Sequence, residues 1–279
     1  MPDYDTEENL VDADEPNVQA QSIEIAPPAV DTGVNRPFKV ELPSRGIVYG
    51  NALPGGTVDL RPLTTAEEAI LYNQASMGVE KIDQIIRACY LSKDALDAEE
   101  LLITDRFYIL LMLRTRAFGG QYDFPVKCQY CPQQFKHSLN IGEELEITPM
   151  ADDVVEPHTV ILPKCGDTIN IRLLRGKDER AVAKYTKRMR MKSADPSDPS
   201  FLYRMSRMLV EVNGVEKGLT DAERYVRGLE MSDSVHWQNE AERIEAGVDL
   251  TVYARCPGCG SENEMQLPFT AEFFRPTSR

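Results

Sequence analysis

The chain has 279 residues, 42% of them hydrophobic, and a formal net charge of −14, which allows one large globular domain or two modest ones with a proper core. No run approaches the roughly 18–20 apolar residues that a membrane-spanning helix needs; the longest, Phe107 to Leu113, is bracketed by Arg106 and Arg114. The acidic N-terminus has neither the basic nor the apolar region of a secretory leader, so folding in a reducing cytoplasm is expected.

Residues 1–36 lack periodicity and are rich in proline. Nine acidic residues and no Lys or Arg fall within residues 1–35, so the rest of the chain carries only about −5. This stretch is expected to be a disordered acidic arm, either a solubilising tail or a segment that orders on a partner. Phe38, Val40 and Leu42 then alternate, and Ile47-Val48-Tyr49 and Val58 to Leu60 follow between turn residues, which predicts a small antiparallel sheet. Thr64 and Thr65, followed three residues on by Glu67 and Glu68, form a capping-box signal for a helix. Val79, Ile82, Ile85, Ile86 and Cys89 recur at helical spacing. A third helix starts at Thr104-Asp105, is apolar nearly all round, and stops at Gly119-Gly120; such a helix belongs in the middle of a core.

Strand-like alternation returns at 121–126 and 135–141, then a hairpin at 159–162 and 168–174. Helical patterns follow near 177–191, 200–212, 220–229 and 233–246, with Asp195 to Pro199 as a loop. Val248 to Ala254 and Glu264 to Leu267 read as two last strands. The fold class is therefore α+β, with residues 37–142 and 248–279 forming the core and residues 143–247 a large, mostly helical insertion.

The strongest chemical pattern is Cys128-Gln129-Tyr130-Cys131 matched with Cys256-Pro257-Gly258-Cys259. Each pair sits between two strand-like segments, so each caps a hairpin. A Cys-x-x-Cys turn aims both thiolates at one point while turn N–H groups donate to the sulfurs. Two such knuckles supply the four-sulfur shell that zinc prefers, in the manner of a zinc ribbon. One structural zinc held by Cys128, Cys131, Cys256 and Cys259 is expected, although 124 residues separate Cys131 from Cys256 against about 15–20 in an ordinary ribbon. Two disulfides would require an oxidising compartment. A redox dithiol accounts for one pair but not for two in matched hairpins, and a catalytic zinc would keep an open position with His or carboxylate ligands.

Cys89 reads as a buried small hydrophobe and Cys165 as incidental to a turn. His137 is close enough in sequence to Cys131 to replace a ligand, whereas His158 and His236 stand apart. No phosphate loop, nucleophile elbow, metalloprotease motif or dinucleotide fingerprint is present, so no catalytic residues are proposed and the chain is not expected to be an enzyme.

From Arg172 to Lys192 nine basic residues face two acidic ones, Asp178 and Glu179. With Val182, Tyr185 and Met189 on one side, this is an amphipathic cationic helix. It is either a docking site for an acidic partner, including the acidic arm of another copy, or a solvated face balanced by nearby carboxylates. Nucleic acid is not expected as a partner of so acidic a protein.

Taken in order, the opening "FKVELPSRGIVYG", then "VDLRPLTTAEEAILYN", "DRFYILLMLRTRAFG", "VKCQYCPQQFKHSLNI" and finally "ARCPGCGSENEMQLPFTAEFFRP" resemble the baseplate-hub family of T-even-type contractile-tailed phages. The resemblance spans residues 38–275; its sharp parts are the two cysteine pairs and the Leu-Pro-Ser-x-Gly opening. It implies a virion protein of the tail baseplate, made in the host bacterial cytoplasm, whose partners are other baseplate or tail-tube proteins. Two other roles stay open at this point: a zinc-ribbon nucleic-acid module, and a tail-assembly chaperone absent from the mature virion.

Overall fold

The computed structural model describes residues 36–72, 78–192, 198–268 and 271–274; the acidic arm and most of the 195–199 loop lie outside them. Strand β1 (Phe38–Glu41) pairs antiparallel with β2 (Thr57–Leu60), as the alternation predicts. Between them, Ile47–Ala52 is a 3-10 turn and not the expected strand. Two causes are visible. Arg45 and Gly46 adopt positive φ (54° and 76°), and a Cβ at Gly46 would lie 2.1 Å from the Leu53 carbonyl oxygen, so the chain reverses where only glycine fits. The buried Asp105 carboxylate then holds the loop: it accepts from the Ser44 N–H (3.0 Å) and the Tyr49 hydroxyl (2.6 Å).

Helix α1 (Thr65–Tyr72) starts at the predicted capping box: Glu67 accepts from the Thr64 N–H (2.9 Å), and the Thr64 hydroxyl accepts from Ala66 N–H (3.3 Å). Helix α2 (Val79–Cys89) buries Ile85, Ile86 and Cys89. Helix α3 (Ile103–Phe118) is central: Ile109, Leu110, Leu111 and Leu113 are almost wholly inaccessible, and so are Arg106 and Arg114. Both guanidinium groups find partners for their terminal nitrogens. Arg106 donates to the Ala98 carbonyl (2.7 Å) and pairs with Asp83, and Arg114 donates to the Gln121 carbonyl (2.5 Å) beside the Tyr122 ring. A buried cation persists only with such partners.

Hairpin β3 (Gln121–Lys127) and β4 (Gln134–Asn140) follows, then the short α4 (Ile141–Glu144). The chain enters the predicted insertion through β5 (Ile147–Thr148). Inside it, β6 (His158–Ile161) and β7 (Thr168–Ile171) form a hairpin, and α5 (Gly176–Lys192) and α6 (Pro199–Met208) pack on each other. The helix expected over 200–212 stops at Met208. Leu209–Val212 is strand β8, which turns through Asn213-Gly214, both at positive φ, into β9 (Val215–Glu216). The sheet order is β6-β7-β8-β9, all antiparallel. Helices α7 (Leu219–Gly228) and α8 (Met231–Ile244) complete this part.

The chain returns through β10 (Gly247–Val248), which pairs with β5, so the exit strand lies beside the entry strand. The strand expected over Val248–Ala254 is thus divided: β10 ends at Val248, and β11 (Thr251–Arg255) pairs with β12 (Glu262–Gln266) instead. The short α9 (Ala271–Phe274) buries Phe273 and Phe274.

Two apolar clusters result. The larger joins β1, β2, α2, α3 and the inner faces of both Cys-tipped hairpins, and it also takes in Leu145, Met150, Leu173 and Ile244. The smaller gathers Val160, Ile169, Ile171, Val212, Val226 and Trp237. No helix among the described residues is long and apolar enough to cross a membrane.

Candidate metal centre

Strand register places the cysteines. Along β3, Tyr122, Phe124 and Val126 are buried while their neighbours are exposed, and Cys128 continues that inward series. Along β11, Val252 and Ala254 are buried and Cys256 continues theirs. The first cysteine of each pair is therefore 5% and 1% exposed, while the second, Cys131 or Cys259, lies nearer the surface. The two tips are built alike. The Cys128 N–H donates to the Gln133 carbonyl (3.0 Å), and the Cys256 N–H donates to the Ser261 carbonyl (2.9 Å). Gly260, at φ +74°, supplies the left-handed residue that closes the second tip.

All four Sγ atoms lie within 4.8 Å of one another. Cys128 and Cys259 approach to 3.7 Å, as do Cys131 and Cys256. A tetrahedron with zinc–sulfur bonds of about 2.3 Å puts its sulfurs roughly 3.8 Å apart, whereas a disulfide would bring two of them to about 2.05 Å. The arrangement thus has the size of a four-thiolate cation site, and all four cysteines are free thiols.

Backbone polarity already favours thiolate at part of the site. The Ser261 hydroxyl and N–H lower the Cys259 thiol to about 6. Burial raises Cys128, but the Tyr130 and Cys131 N–H groups prevail and hold it below the ordinary thiol value. The Gln133 N–H favours ionised Cys131, yet burial and the other three sulfurs push it up to about 12. Four thiolates this close repel one another, and a bound cation is what lets all of them ionise together. An open depression lined by Cys131, Pro132, Gln133, Gly258 and Cys259 gives solvent access to the outer two cysteines.

The other candidates do not join this cluster. His137 stands on β4 opposite Phe124, with its ring edge-on to that phenyl at 5.5 Å. Cys89 is fully buried in the larger apolar cluster. Cys165 is exposed in the β6–β7 loop, where its N–H donates to Asp233 (3.0 Å). His158 lies 3.7 Å from Glu240, and His236 is on α8.

Two features of the site region were not found in the sequence. Asn263, the second residue of β12 and fully buried, accepts from the Gln129 N–H (2.8 Å) and donates to the Ala254 (3.1 Å) and Ser261 (3.3 Å) carbonyls. The second concerns the cationic helix, which divides into two halves. Arg172 pairs bidentately with Asp178 (2.6 and 2.8 Å), Arg175 pairs with Glu156, Lys177 with Glu100 (2.7 Å) and Arg180 with Asp83 (3.0 Å). Beyond Arg180, Lys184, Lys187, Arg188, Arg190 and Lys192 are exposed and have no ion pair among the described residues. A polar Asn at an inward position of a strand, four residues after the last cysteine, is the one clue the sequence offers to Asn263.

The fold and this site define an α+β protein whose two Cys-tipped hairpins, far apart in sequence, converge on one cation-sized sulfur cluster. The chain belongs to the family of T4 bacteriophage base plate proteins, whose model matches residues 39–194. That span includes Cys128 and Cys131 and ends before the second cysteine pair. No curated protein and no solved structure gives a match.

Proposed function

We propose that the protein is a structural component of the hub region of a contractile-tail baseplate, acting through protein–protein contacts around one structural zinc. Cys128, Cys131, Cys256 and Cys259 are the ligands in this reading, and the observation that carries it is the convergence of their sulfurs at 3.7 Å in a chain of the base plate family. With zinc bound, the cation offsets the repulsion among the four thiolates and the two hairpins become one unit. The chain then works as an assembly part of the virion tail and not as an enzyme, and it is made in the host cytoplasm. Its partners are other baseplate or tail-tube proteins, with neither nucleic acid nor membrane among them.

The half of α5 that has no ion pair among the described residues supports a second kind of contact, self-association with the acidic arm of another copy. It equally favours the rival reading, a nucleic-acid module. Co-purification of the tagged protein with co-expressed baseplate subunits tests the leading reading: a stable, salt-resistant complex is expected. Failure to form one, together with salt-sensitive DNA or RNA binding that falls on neutralising Lys184, Lys187 and Arg188, would replace it. Mass spectrometry of purified virions separates a resident subunit from an assembly chaperone.

A further inference from the structure

We infer that Asn263 is a positioning residue of the metal centre, setting the separation of the two cysteine tips so that their four sulfurs stand at the spacing of a tetrahedral cation site. The inference rests on the zinc reading above. Its ground is where the three hydrogen bonds of one amide go. Nδ2 donates to Ala254, two residues before Cys256, and to Ser261, two residues after Cys259. The Ser261 carbonyl is also the one that closes the second tip by accepting from Cys256. Oδ1 accepts from Gln129, the residue between ligand Cys128 and Tyr130. One side chain therefore grips the second tip at both ends and the first tip at its centre. Only one orientation of the amide satisfies all three partners, because the N–H needs an acceptor and the two carbonyls need donors.

Local preference argues against Asn here. Position 263 faces inward in β12, flanked by exposed Glu262 and Glu264, and an inward strand position ordinarily carries an apolar or β-branched residue. A polar residue at such a position, fully buried and fully bonded, marks a place where local preference yields to a site. The Gln129 N–H is the complementary half of the device. In the second tip the equivalent position is Pro257, which has no N–H to satisfy. The asymmetry between the tips is met by one amide on the side that has the donor.

The test measures zinc affinity by competition with a chromogenic chelator, and the absorption spectrum of the cobalt-substituted full chain. Asn263→Ala is expected to weaken zinc by about 10- to 100-fold, the usual cost of losing a residue that orients ligands, and to change the cobalt bands. Asn263→Asp keeps an acceptor for Gln129 but turns two donors toward two carbonyls into acceptors and adds charge beside the sulfurs, so its loss is at least as large. Met265→Ala, on the same strand and partly buried against the larger apolar cluster, controls for simple loss of packing and should leave affinity and spectrum unchanged. Should Asn263→Ala not fold, Gln129 provides the second route. Gln129→Pro removes the N–H with a residue the matching tip already accommodates, while Gln129→Ala retains the N–H and loses only the side-chain bond to the Glu264 carbonyl. The Pro variant should bind zinc about tenfold more weakly than the Ala variant. Wild-type affinity and cobalt spectrum in Asn263→Ala, or equal affinities for the two Gln129 variants, overturns the role of Asn263 alone. A wild-type chain that takes up neither zinc nor cobalt overturns the zinc reading and this inference with it.

Discussion

The hairpins that carry the cysteines and the sheet β6–β9 are both made of short antiparallel strands, yet they are held by different forces. In the four-stranded sheet, Val160, Ile169, Ile171, Leu209 and Val212 turn inward onto one apolar cluster with Trp237 on α8 behind them. Burial of that area is the main force that holds the sheet. The hairpins run short of apolar residues as they approach their tips. Strand β12 reads Glu-Asn-Glu-Met-Gln, and β4 exposes Gln134, Lys136 and Ser138. Past Val126 and Ala254 there is no apolar side chain to join one hairpin to the other, and the sulfurs stand where such residues would. One region is closed by area and the other by ligation, so the two should respond to different perturbations.

The largest expected effect breaks the ligated region alone. Cys256→Ser/Cys259→Ser, or strong chelation of the wild type, should abolish one-to-one zinc binding. It should also release the β3–β4 and β11–β12 tips from each other, removing a coupling on the order of 10 kcal/mol. Hydrogen exchange by mass spectrometry reads this directly: amides of 121–140 and 251–266 should lose protection while those of 158–171 and 209–216 keep theirs. Equal loss in both regions would mean that the sheet also depends on the sulfur centre, and the comparison would fail.

The converse perturbation is next in size. Trp237 is fully buried in the smaller cluster, so Trp237→Ala should destabilise the sheet and its helices by about 3–5 kcal/mol. Its zinc stoichiometry and cobalt spectrum should match the wild type. Thermal unfolding monitored together with metal release should then show two transitions where the wild type shows fewer.

The same contrast governs what could be read from the chain. The cysteine tips were legible because their chemistry is local: Cys-x-x-Cys twice, each flanked by alternation, with strand register carrying the first cysteine inward. The Thr64–Glu67 box was legible for the same reason. Features decided by distant partners were not. Ile47 to Tyr49 has strand composition, but Asp105, 56 residues from Tyr49, draws it into a turn. Leu209 to Val212 follows α6 with no Gly or Pro between, so the helical pattern has no break in the sequence; the Asn213-Gly214 turn that identifies a hairpin comes only after the strand. Arg106 and Arg114 looked like flanking charges, and their burial depends on Asp83 and on carbonyls supplied by other segments. The two halves of the cationic helix are not distinguished in the sequence because its carboxylate partners, Asp83, Glu100 and Glu156, lie far before it in the chain.

Acid provides the smallest and most selective test, since it reaches a third kind of linkage. Asp178, at the start of α5, has a wholly buried side chain that binds Arg172 from the end of the β7 segment and Arg207 from α6. It thereby ties the sheet to both helices. Burial raises its carboxyl, but Arg172, the Arg175 N–H and Arg207 outweigh that and bring it down to about 2, from an ordinary 3.8. A carboxylate lowered on folding stabilises the protein fully above its unfolded value and loses that contribution as pH falls through its folded value. Asp178 should therefore add about 2 kcal/mol above pH ~4, lost between there and pH ~2. Measured on zinc-free protein, so that thiolate protonation does not enter, urea unfolding of the β6–β9 region should show this decline. Asp178→Asn should flatten it, because Arg172 and Arg207 then face an amide whose charge does not change with pH. An unchanged slope in the variant would assign the acid sensitivity to other carboxylates, and the sheet would be held by apolar area with no charged tie to α5.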